Sequence, residues 1–198
     1  MIALNIRHTS YSSAGTALRH SIFATTSVMS TTGFFTVDFD AWPAFSKVIL
    51  VLCMLVGGCV GSTSGGIKHL RIFIVMKKAT QQIKLFVHPQ AVMQVKLGKQ
   101  PVEDSVVLNV LTFVILYIIV LVIASAVMTL FTRDILSAVT SVIACTGNVG
   151  PGLGAVGPVQ NYADMHAGGK IILIICMLLG RLEFYTMLAL LFPSFWKK

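Results

Sequence analysis

Charge is what this sequence has least of. Charged residues make up 11% of its 198 residues and hydrophobic residues 56%. A soluble domain carries about 25% charged residues, so an aqueous surface would be hard to build from this stock. The four cysteines (Cys53, Cys59, Cys145 and Cys176) show no CxxC spacing and lie in or beside apolar segments. That excludes a disulfide framework and a zinc site, and reads as small buried residues. The five histidines (His8, His20, His69, His88 and His166) have no metal-ligand spacing. No Ser/His/Asp or paired-carboxylate arrangement is evident, so neither an enzyme nor a cofactor is expected. The first twenty residues contain Arg7, His8, Arg19 and His20 and no apolar h-region. Insertion is therefore expected to rely on internal spans.

Long apolar runs are what the chain does have. Residues 106–130 are almost continuously apolar and exceed the roughly 20 residues that cross a bilayer. Residues 171–192 form a second run, interrupted by Arg181 and Glu183. Residues 48–60 form a shorter one that runs into glycines. The net charge of +8 does not point to nucleic acid, because of where the charges lie. Lys68, Arg71, Lys77, Lys78, Lys84, Lys96 and Lys99 fall between two spans, and Lys197 and Lys198 follow the last. The positive-inside rule then puts residues 68–104 and the C-terminus in the cytoplasm, in a multi-pass protein of the cytoplasmic (inner) membrane.

An internal repeat organises the chain. Ala24, Thr26, Ser27, Val28, Thr32 and Gly33 recur as Ala138, Thr140, Ser141, Val142, Thr146 and Gly147, at an offset of 114. Lys47, Ile49, Leu50, Cys53, Met54, Leu55 and Gly57 recur as Lys170, Ile172, Leu173, Cys176, Met177, Leu178 and Gly180, at an offset of 123. The nine-residue difference falls in a Gly- and Pro-rich loop, where length varies freely. Each unit reads as a short helix, a Thr-Gly turn, a loop and a long apolar helix. Only residues 1–15, a polar stretch, precede the first unit's short helix where the second has the span 106–131, so its first helix is expected to be missing.

The short segments, 20–30 and 135–145, would cover about 16 Å each, half of a bilayer's hydrocarbon. A half-length helix leaves bare carbonyls and a partial negative charge at its C-terminus. That end must face water or be buried in protein, and it favours a cation. Dehydrated K⁺ needs a ring of oxygens, which backbone carbonyls supply without fixed charge. Glycine adopts the required dihedrals at little cost. Thr31, Thr32, Gly33 and Phe34 fit this need, as do Cys145, Thr146, Gly147 and Asn148. Neither turn holds Asp or Glu, which argues against a carboxylate-ring filter for calcium or sodium.

At this point the residues resemble a known family. Ser30-Thr-Thr-Gly-Phe34, Gly57-Gly-Cys-Val-Gly-Ser-Thr-Ser-Gly-Gly-Ile-Lys68, Cys145-Thr-Gly-Asn-Val-Gly-Pro-Gly152, Gly180-Arg-Leu-Glu183 and Phe192-Pro-Ser-Phe-Trp196 are similar to the Trk/Ktr-type potassium transporters, most closely the TrkH-like pore-forming subunits. The resemblance implies an all-α integral membrane fold of helix–pore loop–helix repeats with re-entrant half-helices. Four repeats are expected and two are present, the third and the fourth. Residues 1–80 would be the third repeat without its first helix, 81–104 a cytoplasmic connector, and 105–198 the fourth repeat. The implied function is potassium uptake through a carbonyl filter; the alternative is a truncated or non-transporting membrane subunit, inactive on its own.

The resemblance also implies a gate. Residues 57–66 hold five glycines in mid-span, where a continuous helix is poor because each glycine costs about 1 kcal/mol. Irregular backbone survives there only beside a cavity or packed in protein. The family makes this stretch an intramembrane gate, carried here by Gly58, Gly61, Ser62, Thr63, Gly65 and Gly66. Arg181 replaces Gly58 in the repeat alignment, and a charge so deep in an apolar span usually faces a pore or a partner. The resemblance gives it a gating contact with the loop; the other reading is a structural ion pair. Pairing with Glu183 is disfavoured, since residues two apart on a helix do not face each other. Expected partners are membrane lipid and the missing repeats or a second copy of the chain. The region 86–104, with alternation over 91–102 and Gly98-Lys99, suggests a hairpin. It is either an ordinary connector or a docking surface for a cytosolic nucleotide-binding regulatory subunit.

Overall fold

The structure, a computed structural model, describes residues 1–9, 11, 13–90, 94–98, 100–182, 184 and 187. Glu183, Lys99, residues 91–93, the Phe192–Trp196 motif and the two terminal lysines lie outside the described residues. The described chain is helical: α1 (Ile2–Thr9), α2 (Ala14–Met29), α3 (Ala44–Val56), α4 (His69–Val87), α5 (Asp104–Met128), α6 (Ile135–Thr146) and α7 (Ala167–Leu182). A small antiparallel hairpin, β1 (Lys96–Leu97) and β2 (Gln100–Pro101), pairs Lys96 with Pro101 and Leu97 with Gln100. It falls within the stretch where alternation suggests one.

Helix α5 has 25 residues with a mean hydropathy of 3.1 in its most apolar window, and only 22% of that window is buried. It is about 37 Å long, more than the roughly 30 Å of a bilayer's hydrocarbon. Ile115, Ile118, Ile119, Val122 and Ile123 lie exposed along it. A helix apolar on every side needs an apolar solvent.

Helix α6 sits at the centre, with nine of its twelve residues buried. One flank packs with α1, α2 and α3 through Ile6, Leu50, Met54 and Ile143. The other packs with α5 and α7 through Met128, Val142, Leu173 and Cys176. Each large buried side chain is worth about 1.5–3 kcal/mol, so α6 is the keystone of both units. Asp134 caps it, accepting from the Ser137 N–H at 3.2 Å.

The two units share more than letters. Helices α3 and α7 begin 123 positions apart, at Ala44 and Ala167. Lys47 near the start of one donates to the Asp40 carbonyl at 2.8 Å, and Lys170 of the other to the Ala163 carbonyl at 2.8 Å. Both bonds reach seven residues back, at the same offset of 123.

Two expectations change. Residues 1–9 are not merely polar: α1 buries Ile2 and Ile6 and packs on α2 and α3, as α5 packs on α6 and α7. Helix α2 starts at Ala14, six residues before the expected start, because residues 14–19 contain no helix breaker other than Gly15 near the end, where it is tolerated. It measures about 24 Å.

Candidate functional site: two turns and a glycine loop

Helices α2 and α6 end in the same way. After α2, the N–H groups of Thr31, Thr32 and Gly33 donate to Val28 O (3.1 Å), Ser27 O (2.9 Å) and Ser27 O (3.4 Å). After α6, those of Asn148, Val149 and Gly150 donate to Cys145 O (3.0 Å), Ala144 O (2.8 Å) and Ala144 O (3.4 Å). Thr31 and Asn148 both have φ 55°, and Gly33 and Gly150 have φ 76° and 102°. The equivalent residues are 117 apart. Thr31-Thr32-Gly33-Phe34 therefore corresponds to Asn148-Val149-Gly150-Pro151, not to Cys145–Asn148.

This corrects the alignment by three residues. Cys145 and Thr146 are the last helical residues of α6 and are buried. Gly147 is its C-cap, with an ordinary φ of −72°, and only Asn148 of the four expected residues enters the turn. Letter matching favoured the two Thr-Gly pairs. The backbone instead needs a residue tolerant of the left-handed region and a glycine two positions on, which Asn148 and Gly150 supply. Val149, Gly150 and Pro151 were missed, although the spacing from Asn148 to Gly150 was there to be read. A β-branched threonine at φ 55° is unusual and marks the first turn as a strained, site-like position.

The turns touch. A Cβ on Gly33 would overlap the Val149 carbonyl oxygen and lie 3.2 Å from Pro151 Cδ. Neither helix has a basic residue in its last turn, so the partial negative charge at both C-termini is unopposed there. In the first turn Ser27 Oγ donates to the Phe34 carbonyl at 2.6 Å, while the Phe34 ring is exposed. In the second, the Asn148 side chain donates to the Met177 carbonyl on α7 at 3.3 Å.

Residues 57–68 leave the helix and return to it. Ile67 N–H donates to Leu55 O at 3.0 Å and Lys68 N–H to Val56 O at 2.9 Å, so the loop closes at its neck. Inside it, Gly58 N–H donates to Ser64 Oγ at 3.0 Å, and the Ser62 and Ser64 hydroxyls lie 2.6 Å apart. Gly61, Ser62 and Thr63 are exposed at the tip, whereas Ser64, Gly65 and Gly66 are buried. Gly65 lies against the Gly147 carbonyl, and Gly180 of α7 lies against the Thr146 carbonyl. A side chain at either place would collide with the end of α6. The loop, the second turn and α7 thus share one tightly packed junction.

Arg181 follows directly. Its guanidinium donates to the Thr63 carbonyl at the loop tip. A cavity of about 170 Å³ beside this contact is lined by Ser62, Thr63, Lys68, Arg71 and Arg181 among others. The Arg71 guanidinium sits 3.9 Å from the Phe113 ring centroid. The site residues read from sequence are thus brought together: the second turn, Gly65 and α7 in one contact, Thr63 and Arg181 in another.

The chain is similar to known proteins in both sequence and fold. The TrkH family model, described as a cation transport protein, matches residues 4–198. The chain is 39% identical over 191 residues to the Trk system potassium uptake protein TrkH of Salmonella typhimurium, covering 96% of this chain and 39% of that one. It is 35% identical over 178 residues to the Trk system potassium uptake protein TrkG of Escherichia coli, covering 90% and 36%. The crystal structure of the potassium transporter TrkH from Vibrio parahaemolyticus superposes with a TM-score of 0.90 at 38% identity, covering 99% of this chain and 42% of that one. The chain spans about two-fifths of the length of these relatives. On sequence and fold together, the chain belongs to the TrkH family of cation transport proteins.

Proposed function

We propose that this chain supplies two adjacent quarters of a potassium-uptake pore, with carbonyls of residues 31–34 and 148–151 as half of its selectivity filter. The observation that carries the reading is the matching hydrogen-bond pattern and left-handed residues of the two turns, each at a helix C-terminus and in contact through Gly33 and Val149. Two such turns offer oxygens and helix-end dipoles to a dehydrated cation and no fixed charge. The named activity of the relatives, potassium uptake, supports K⁺ as the ion. Transport would follow the membrane potential, worth about 2.3 kcal/mol per charge per 100 mV, and needs no cofactor.

In this reading α2 and α6 are re-entrant, and residues 58–66 with Arg181 form the gate. A guanidinium held on the Thr63 carbonyl puts a positive charge beside the path and raises the barrier to K⁺. Residues 68–104 and the C-terminus face the cytoplasm, where a nucleotide-binding regulatory subunit would dock. Further repeats or a second copy of this chain complete the ring. The second reading is a truncated or non-transporting membrane subunit, since two turns by themselves do not close a ring of carbonyls.

The filter is tested by Gly150→Ser in the complete transporting protein, with K⁺ and Na⁺ uptake measured side by side. Loss of K⁺ preference is expected. An unchanged preference would sink the filter assignment.

A further inference from the structure

The two turns are alike in backbone but not in what holds them. In the first, Ser27 on the preceding helix fixes the Phe34 carbonyl through its hydroxyl, at 2.6 Å. The residue equivalent to Ser27 in the second unit is Ala144, which has no hydroxyl. There a side chain from the following loop does the work. The Tyr162 hydroxyl donates to the Gly150 carbonyl at 2.7 Å. The same oxygen lies 3.9 Å from Cys145 Sγ, whose thiol points to it from the last turn of α6. Tyr162 therefore bridges the end of the pore helix and the glycine of the turn. Its ring packs on the cluster of Cys145, Leu173 and Cys176, which anchors it to α7.

Gly150 needs such a tether. It has φ 102°, and a Cβ placed on it would meet nothing within 4 Å. The Gly150 N–H reaches Ala144 O only at 3.4 Å and Pro151 limits the peptide that follows, so the Tyr162 bond adds a direct hold on the carbonyl oxygen itself. A carbonyl oxygen has two lone pairs. One can accept from Tyr162 while the other remains for a cation.

We propose that Tyr162 is a positioning residue for ion selection, its hydroxyl holding the Gly150 carbonyl at a fixed distance from the ion path. The proposal rests on the reading of residues 148–151 as a filter turn. Selection by cavity size needs a carbonyl held at a set distance from the ion, and the Tyr162 hydroxyl supplies that hold. The Ser27 bond performs the corresponding task in the first unit, one residue further along the turn.

The test uses the complete transporting protein and three variants, with K⁺ and Na⁺ uptake and membrane abundance measured together. Tyr162→Phe removes only the hydroxyl and is expected to lower the K⁺-over-Na⁺ preference roughly fivefold, the worth of one hydrogen bond, at unchanged abundance. Replacing Tyr162 by 3-fluorotyrosine keeps the shape and makes the phenol a stronger donor. It is expected to keep or raise the preference, and it decides the matter should the phenylalanine variant not fold. A preference lost equally in both replacements assigns the effect to ring packing and overturns the proposal. Gly150→Ser separates the two levels. If it lowers the preference while Tyr162→Phe does not, the role of Tyr162 fails and the filter stands. If neither variant changes the preference, the filter reading fails and the role of Tyr162 with it.

Discussion

Gly65 and Gly180 have no room for a β-carbon, since each faces a carbonyl at the end of α6. Gly180→Ala is expected to destabilise the protein by about 1–3 kcal/mol, as overpacking does in a filled core, read as a lower melting temperature in detergent. Gly61, at the exposed loop tip, has nothing within 4 Å of its would-be side chain but a φ of 84°, so Gly61→Ala carries a backbone cost without a clash and is expected to lose less. Arg181 makes a different kind of contribution. Arg181→Gln removes the charge from the Thr63 carbonyl. If the loop is a gate, basal Rb⁺ flux rises, roughly tenfold for a charged hydrogen bond; flux that stays flat or falls would return Arg181 to a structural role.

The elements meet through a few polar ties. Asp40 holds two of them: its carboxylate lies 3.3 Å from Lys47 Nζ and accepts from the Gly154 N–H at 2.9 Å. It thereby joins the loop between α2 and α3 to the loop between α6 and α7. Asp40→Ala is expected to cost about 1 kcal/mol, the low end for a charged tie that is partly exposed, with the Lys47→Met variant showing whether the ion pair or the Gly154 bond dominates. At this scale the sequence was legible where apolar runs and glycine clusters spoke. The span at α5, the break after α3 and the start of α6 could all be read from hydropathy and breakers. The start of α2 could not, because Gly15 near a helix end costs little and the segment before it is polar. The register of the second turn was hidden for another reason. Threonine and asparagine at φ 55° do the same backbone work with no letter in common, so an identity match settled on Thr-Gly three residues too early. The tie from Tyr162 to Gly150 spans twelve residues, and no local pattern announces it.

Taken whole, the described chain exposes α7 residues Ile171, Ile174, Ile175, Met177 and Leu178. Such a surface calls for lipid or for neighbouring helices. The monomer purified alone and placed in liposomes is expected to pass no K⁺, since two turns cannot close a ring; flux appearing only with cross-linked dimers would identify the second copy as the completing half. The repeat also leaves one place where length is free. The stretch from the end of α2 to the start of α3 is six residues shorter than that from α6 to α7, although the helix ends and lysine ties at both borders coincide. Val159, Gln160 and Asn161 lie exposed within the longer stretch. That makes it a permissive insertion point. An epitope placed after Gln160 falls two residues before Tyr162, whose hydroxyl holds the Gly150 carbonyl; K⁺-over-Na⁺ preference measured beside it shows whether that tie survives, and the tag, read against a label at Lys84, reports which side of the membrane each lies on.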